Sequence, residues 1–183
     1  MCKAGWSMIF VETKLAGAYL VELQPHEDER GFFALSWSEK EFAARGLESR
    51  VVECNVSFNG KKGTLRGMHY QAAPYGQVKL VRCTRGAIFD VIVDLRPSSP
   101  TFKQWVGTEL SAENHYALYI PGDFAHGFQT LTDNAEIFYQ MSDPFVAGSG
   151  RGVRWNDPAF GIDWPDDARI INQRDAGYPD FAK

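Results

Sequence analysis

Between Val51 and Met141 the chain is a succession of short runs rich in β-branched and aromatic residues, each closed by a turn cluster. The runs are KLVRCT, AIFDVIVDL, QWVGTEL, YALYI and AEIFYQM, and the clusters that bound them are RG, RPSSP, SAEN, PGDF and TDN. Runs of this length and composition read as strands, and Gly, Pro, Asn, Asp and Ser between them read as tight connections. The spacing leaves no room for crossover helices, which excludes a parallel sheet built from βαβ units. What remains is an all-β chain, a double-sheet jelly roll or barrel with a few short peripheral helices.

One run shows its two faces. From Ile88 to Leu95, the residues Phe89, Val91, Val93 and Leu95 form a wholly apolar face, while Ile88, Asp90, Ile92 and Asp94 alternate on the other. Successive strand residues point to opposite sides of a sheet. The second face therefore looks either into a partly polar interior, as in a ligand-binding barrel, or into solvent. Before the strands, SEKEFAARG (Ser38 to Gly46) predicts a helix with a serine cap, a glutamate three residues on and a glycine stop. After Met141, SDPFVAGSGRGVRWNDPAFGIDWPDD is crowded with Pro, Gly and Asp and is expected to wrap the core as loop and short helix.

With 183 residues, no linker and no repeat, the chain suits a single domain. Its expected parts are N-terminal strands and helix over about 8–50, a jelly-roll core over about 51–145, and a C-terminal wrap over about 146–183. No window approaches the ~18 apolar residues of a membrane span. MCKAGWSMIFVETK lacks the long apolar stretch and cleavage site of a secretory signal, and Met8 is a candidate start, with the first seven residues an extension. Cys2, Cys54 and Cys83 form no CxxC and no paired spacing. They suggest neither a disulfide framework nor a zinc site, and point to a reducing, cytoplasmic compartment. A net charge of −4 argues against nucleic acid or an anionic membrane as partner.

The charge is unevenly spread. From Cys54 to Phe89 there is no Asp or Glu, yet the stretch holds Lys61, Lys62, Arg66, Lys79, Arg82 and Arg85, with His69. Such an island is either a site for a small anion such as a phosphate, or a solvated basic face. Within it lies GTLRGMHYQ, where Arg66 and His69 sit three apart in a run that otherwise reads as strand. Residues three apart point to opposite faces of a regular strand. If both line one pocket, the chain must bulge or twist at Gly67.

The residue types narrow the chemistry. The metal-binding pattern of short β-barrels needs a His-x-His pair, a nearby glutamate and a distant third histidine. Here His69 is followed by Tyr70 and Gln71, no acid appears before Asp90, and only His126 sits where a distant ligand would. That is a poor donor set for a metal. No GxSxG, Walker loop or GxGxxG after a strand occurs, and no cysteine lies in an activating context. His69, His126, Tyr139, Lys79 and the aspartates remain, a set suited to removing and returning a proton beside a carbonyl. Histidine can act as base when an aspartate fixes its tautomer, lysine can stabilise the enolate, and tyrosine can donate from the opposite side. Tyr139 alone also reads as an ordinary core tyrosine with its hydroxyl satisfied.

The wording of several segments goes further than residue types. TLRGMHYQ, QVKLVRCTRGAIFDVIVDLR, SPTFKQWVGTELSAEN, PGDFAHGFQTL, AEIFYQ, RGVRWNDPAFGIDWP and QRDA resemble the dTDP-4-dehydrorhamnose 3,5-epimerase family, in unbroken order from about Met8 to Phe181. The resemblance implies a cofactor-free cupin-type jelly roll that inverts carbons flanking the ketone of a nucleotide-linked 4-keto-6-deoxysugar. It implies His69 as general base, Asp175 as its partner, Tyr139 as general acid, and Lys79 near the keto oxygen. It further implies that Arg30 and Arg66 hold the diphosphate, that His126 is a second active-site histidine, and that Asn55 and Gln77 are polar pocket residues. A homodimer with an N-terminal strand added to the partner's sheet is implied too, and Trp6, Ile9, Phe10 and Val11 supply apolar surface near that end.

Two positions depart from the family pattern. Phe145 stands where a second tyrosine usually follows the acid by six residues, and Ala34, Leu35 and Ser36 follow RGFF in place of a thymine-reading glutamate. The first removes a hydroxyl near the sugar or base and opens the alternative of a C3- or C5-monoepimerase. The second bears on the thymidine preference. A ketoisomerase, a metal-dependent oxygenase of the same fold, and a jelly roll that binds a nucleotide sugar without reacting are the other readings.

Overall fold

In the computed structural model, which describes residues 6–167 and 169–181, two antiparallel sheets face each other across one core. Cys2 and most of the suggested N-terminal extension lie outside the described residues. The strands begin with β1 (Met8–Glu12), β2 (Tyr19–Leu23), β3 (His26–Asp28), β4 (Gly31–Phe33), β5 (Glu53–Asn59), β6 (Leu65–Gln71) and β7 (Lys79–Arg85). They continue with β8 (Ala87–Asp94), β9 (Trp105–Ser111), β10 (Ala117–Ile120), β11 (Phe124–Thr130), β12 (Ala135–Met141) and β13 (Gly150–Gly152). Two short helices, α1 (Glu39–Ala43) and α2 (Gln173–Ala176), complete the described elements.

One sheet runs β1-β2-β10-β7-β12-β5 and the other β13-β6-β11-β8-β9, while β3 and β4 form a separate hairpin. Apart from the sequential pairs β1-β2 and β8-β9, neighbours in both large sheets are non-consecutive in sequence, as in a jelly roll. All five strand runs of the central region are strands. β5 and β11 are additions to those runs; for β11 the PGDF turn was expected to end the region's fourth run, yet Phe124 already opens a strand that pairs on both sides, with β6 and β8. Its AHG segment lacks β-branched residues, so local propensity hides it; two flanking ladders override that weak preference.

The two faces of β8 have different fates. Ile88 and Ile92 join Val81, Leu118, Phe124, Phe128 and Ile137 in the layer between the sheets. Val91 and Val93 face outward onto Val153, Phe160 and Trp164 of the C-terminal wrap, so that face is buried as well. Each large apolar side chain so buried contributes about 1.5–3 kcal/mol of transfer free energy. Asp90 and Asp94 therefore point into the interior, and both have no exposure. At one end Asp94 accepts from Arg96 Nε (2.9 Å), Arg96 Nη2 (2.7 Å), Thr101 Oγ1 (2.7 Å) and Ser99 Oγ, which ties off the barrel.

On the outer face of the six-stranded sheet, Phe42 of α1 packs with Met8, Val21, Leu80 and Tyr119. Ser38 caps that helix, its side chain accepting from the Glu41 N–H as the sequence predicts.

Candidate active site

β6 breaks its own alternation. Leu65 and Met68 both pack under the C-terminal wrap, while Arg66 and His69 both line the cavity between the sheets. The ladder shows how: His69 pairs with His126 and Arg66 with Phe128, so three steps on β6 match two on β11. This is the bulge expected at Gly67, whose φ is +133°. A β-carbon there would sit 2.5 Å from Gly127 Cα and 3.0 Å from His126 O, which leaves glycine as the residue that fits.

Behind His69 stands Asp175, brought over a hundred positions by the C-terminal wrap. Its Oδ1 lies 2.8 Å from His69 Nε2, and its Oδ2 accepts from the Gly67 N–H at 3.2 Å. Asn172 caps α2 by accepting from the Asp175 N–H at 2.7 Å, which fixes the backbone that carries the carboxylate. Burial would raise this carboxyl, but the His69 contact, the Gly67 N–H and Arg174 outweigh it and hold it down to about 2. It is therefore an anion at neutral pH. An anion beside Nε2 favours the tautomer protonated there and leaves the Nδ1 lone pair free.

The facing wall comes from the other sheet. Tyr139 of β12 and Lys79 of β7 line the same cavity of about 330 Å³, with Asn55 and Ser57 of β5. No hydrogen bond among the described residues uses the Tyr139 hydroxyl. Burial, with help from the charge of Asp90, pushes that phenol well above its ordinary value, so it stays protonated. Among the described residues no carboxylate is paired with Lys79, and burial brings its amine down to about 8. His126 is more enclosed than His69, with its Nε2 2.7 Å from Asp90 Oδ1 and its ring 6.0 Å from that of Tyr139. Burial pushes the Asp90 carboxyl up, and its Oδ2 has no hydrogen-bond partner among the described residues.

A second hollow of about 450 Å³ continues outward and shares His69, Lys79 and Arg174 with the first. Phe145, 64% exposed, stands on its rim with Arg151 and Tyr178.

Of the residues singled out in the sequence, His69, Asp175, Tyr139, Lys79, Arg66, Asn55, His126 and Phe145 come together here. Gln77 and Arg30 do not. Gln77 is buried, donating from Nε2 to Asp143 O at 2.5 Å. Arg30 sits in the exposed β3–β4 turn, paired with Asp28. The basic island also divides. Lys61 and Lys62 approach Asp133 (4.0 Å) and Asp166 (3.9 Å), Arg82 donates to Ser36 O, and only Arg66 and Lys79 of its cations reach the cavity. In exchange the cavity gains Arg174, whose Nη2 is 3.3 Å from His69 Nε2. That arginine adjoins Asp175 in QRD, and its neighbour was the available signal.

An antiparallel jelly roll enclosing histidine–aspartate pairs opposite a tyrosine and a lysine defines a cupin-type protein with an acid–base site. Among the described residues no group of three or more His, Cys, Asp or Glu is arranged to hold a metal ion. The profile of the dTDP-4-dehydrorhamnose 3,5-epimerase family matches residues 12–183. The chain belongs to that family.

A dTDP-4-dehydrorhamnose 3,5-epimerase of Sinorhizobium fredii is 41% identical over 177 residues, covering 96% of this chain and 91% of the relative. The crystal structure of the Bacillus anthracis enzyme of the same name, with TDP and PPi bound, superposes with a TM-score of 0.92 at 42% identity, covering 96% of this chain and all (100%) of that one. A 3'-monoepimerase from Streptomyces bikiniensis, in complex with dTDP-quinovose, superposes with a TM-score of 0.85 at 34% identity, covering 92% of this chain and 85% of that one.

Proposed function

We propose that the protein is a cofactor-independent epimerase that converts dTDP-4-dehydro-6-deoxyglucose to dTDP-4-dehydrorhamnose. The observation that carries this is the placement of the His69–Asp175 pair and Tyr139 on opposite sheets of one cavity. His69 Nδ1 takes the proton from a carbon beside the ketone; the C–H electrons pass into the enolate and the charge settles on the former keto oxygen. Lys79 stabilises that oxygen by charge. Tyr139 then returns a proton to the other face of the same carbon, which inverts it. Proton exchange with solvent resets imidazolium and phenolate.

Arg66 holds the diphosphate in this reading. It is exposed at the cavity edge, and Asn59 Oδ1 accepts from its Nε at 2.7 Å, while the rest of the guanidinium has no hydrogen-bond partner among the described residues. Asn55, which pairs with Tyr139 across the β5–β12 ladder, and His126 supply polar contacts to the sugar. Phe145 offers an apolar surface further out.

The same reading includes a homodimer. Ile9 and Val11 of β1, an edge strand, are exposed, as are Val56 and Phe58 of β5 at the other edge. Arg30, remote from the cavity of its own chain, would then serve from a partner. The free thiols of Cys54 and Cys83 suit a cytoplasmic setting. A second reading, a monoepimerase inverting C3 or C5 alone, is favoured by Phe145, which lacks the hydroxyl usual at that position, and by the resemblance to the Streptomyces bikiniensis monoepimerase.

Incubation with dTDP-4-keto-6-deoxyglucose in deuterated buffer, followed by NMR, tests both. Deuterium at C3 and C5, lost in His69→Ala, supports the double epimerase; deuterium at one carbon selects the second reading. No exchange in a folded protein would refute both for this substrate.

A further inference from the structure

The outer hollow has one wall without regular secondary structure. Residues 143–149, within the connection from β12 to β13, form it and carry Phe145. Two buried glutamines hold this wall. Gln71, 4% exposed, donates from Nε2 to Tyr75 O (3.0 Å) and Pro144 O (3.3 Å), while its Oε1 accepts from the Val146 N–H (2.8 Å) and Ser149 Oγ (2.7 Å). A primary amide has two N–H donors and two acceptor lone pairs, so its capacity is filled and nothing is left for a ligand. Gln77, 6% exposed, donates to Asp143 O at the start of the same stretch. The placement of the two is specific. Gln71 follows His69 by two residues on β6, and Gln77 precedes Lys79 by two.

We propose that Gln71 and Gln77 are positioning residues. They tie the 143–149 wall, and Phe145 with it, to the two segments that present the base and the lysine, and so set how tightly the outer hollow grips substrate. The proposal rests on the reading that a nucleotide sugar spans the two hollows. It assigns to Gln77 an indirect role through the wall rather than a place in the pocket lining.

The test uses Gln71→Met, which keeps volume and removes all four bonds, Gln71→Glu, which keeps the two acceptor bonds, and Gln77→Met, which removes one. In the free protein, hydrogen exchange at the Val146 amide should quicken at least about tenfold in Gln71→Met and less in Gln71→Glu, because that N–H loses or keeps its partner. With dTDP-4-keto-6-deoxyglucose, KM should rise about tenfold or more in Gln71→Met while kcat stays within about threefold, the split expected when binding rather than chemistry is disturbed. Affinity for dTDP, measured by calorimetry, should fall in parallel. Unchanged Val146 exchange, or a fall in kcat without a rise in KM, overturns the proposal. Should Gln71→Met fail to fold, Gln77→Met must show the same KM shift in a smaller degree, or the proposal falls. If the wild type turns over no substrate, the functional reading has failed, and Val146 exchange with dTDP affinity decides this proposal alone.

Discussion

His126 stands directly opposite His69 on the neighbouring strand, and each turns Nε2 to a fully buried carboxylate, Asp90 at 2.7 Å and Asp175 at 2.8 Å. The two pairs are not equivalent. The His69 side chain is 37% exposed to the cavity and that of His126 only 7%. Asp175 is held ionised by three donors, whereas burial pushes Asp90 up and leaves one of its oxygens unpartnered. The pair with the open imidazole and the settled anion is the one equipped to act as base. In Asp175→Asn the amide can offer an N–H to Nε2, which favours the wrong tautomer. Deuterium incorporation into substrate should fall by about 10²–10⁴, the span typical of losing oriented acid–base catalysis, with the circular dichroism spectrum unchanged.

Tyr139→Phe separates the two proton transfers. The ring stays packed beside His126 and only the hydroxyl is lost. Abstraction by His69 persists, so solvent deuterium should still enter the substrate on the original face. Inverted product, followed by NMR of the sugar ring, should drop by about 10²–10⁴. Equal loss of exchange and product would remove Tyr139 from the role of acid.

Lys79 supplies a pH signature. Burial lowers its amine to about 8, and the enolate is stabilised only by the charged form. In kcat/KM, which reports the free enzyme, activity should decline as pH rises through about 8. Lys79→Met should abolish that alkaline limb along with most of the rate. A profile flat to pH 10 in the wild type would contradict the assignment.

How much of this was legible in the sequence depends on range. The strand runs, the capped helix at Ser38 and the two-faced alternation of β8 follow from local pattern, because strand period and cap chemistry act over a few residues, whereas that Asp90 and Asp94 face inward depends on the packing of the sheets. β11 was hidden because His126 and Gly127 have little strand preference, and pairing with β6 and β8 supplies what propensity lacks. Asp175 reached the site through family resemblance, as no spacing rule joins it to His69. Arg174 escaped because the charge argument was confined to the window from Cys54 to Phe89, and charges that meet in space need not share one. Gln77, a polar pocket residue by family resemblance, turns its amide to Asp143 O, a contact that no local pattern announces.

Acid stability should report the tied-off end of the barrel. The Asp94 carboxyl is raised by burial, yet Arg96, Ser99 and Thr101 more than offset this and hold it at about 2, below its ordinary 3.8. A depressed carboxyl stabilises the folded state fully above its unfolded value, and that contribution is lost as pH falls from about 4 through about 2. The size is about 2 kcal/mol. Urea midpoints should therefore decline across that window, and Asp94→Asn, already destabilised at pH 7, should show a shallower decline. Asp175 titrates in the same range, so part of the slope should survive in the single variant and flatten further in the double one.

Gly67→Ala tests whether the bulge is what brings Arg66 and His69 to one cavity. A β-carbon there would meet backbone rather than a movable side-chain tip: Gly127 Cα at 2.5 Å and His126 O at 3.0 Å. The added φ of +133° is one that an L-residue adopts only under strain. Two outcomes are open to the chain, and they differ in where the cost falls. If β6 keeps its bulge and the ladder to β11 parts, stability should fall by at least about 2 kcal/mol, read from the thermal midpoint. If instead the bulge irons out, one of Arg66 and His69 must swing to the face that carries Leu65 and Met68, and a charge or imidazole would enter the apolar layer under the wrap. Both routes predict a destabilised protein with exchange activity lost. A Gly67→Ala variant with native stability and native exchange would show that the two side chains share the cavity without needing glycine between them.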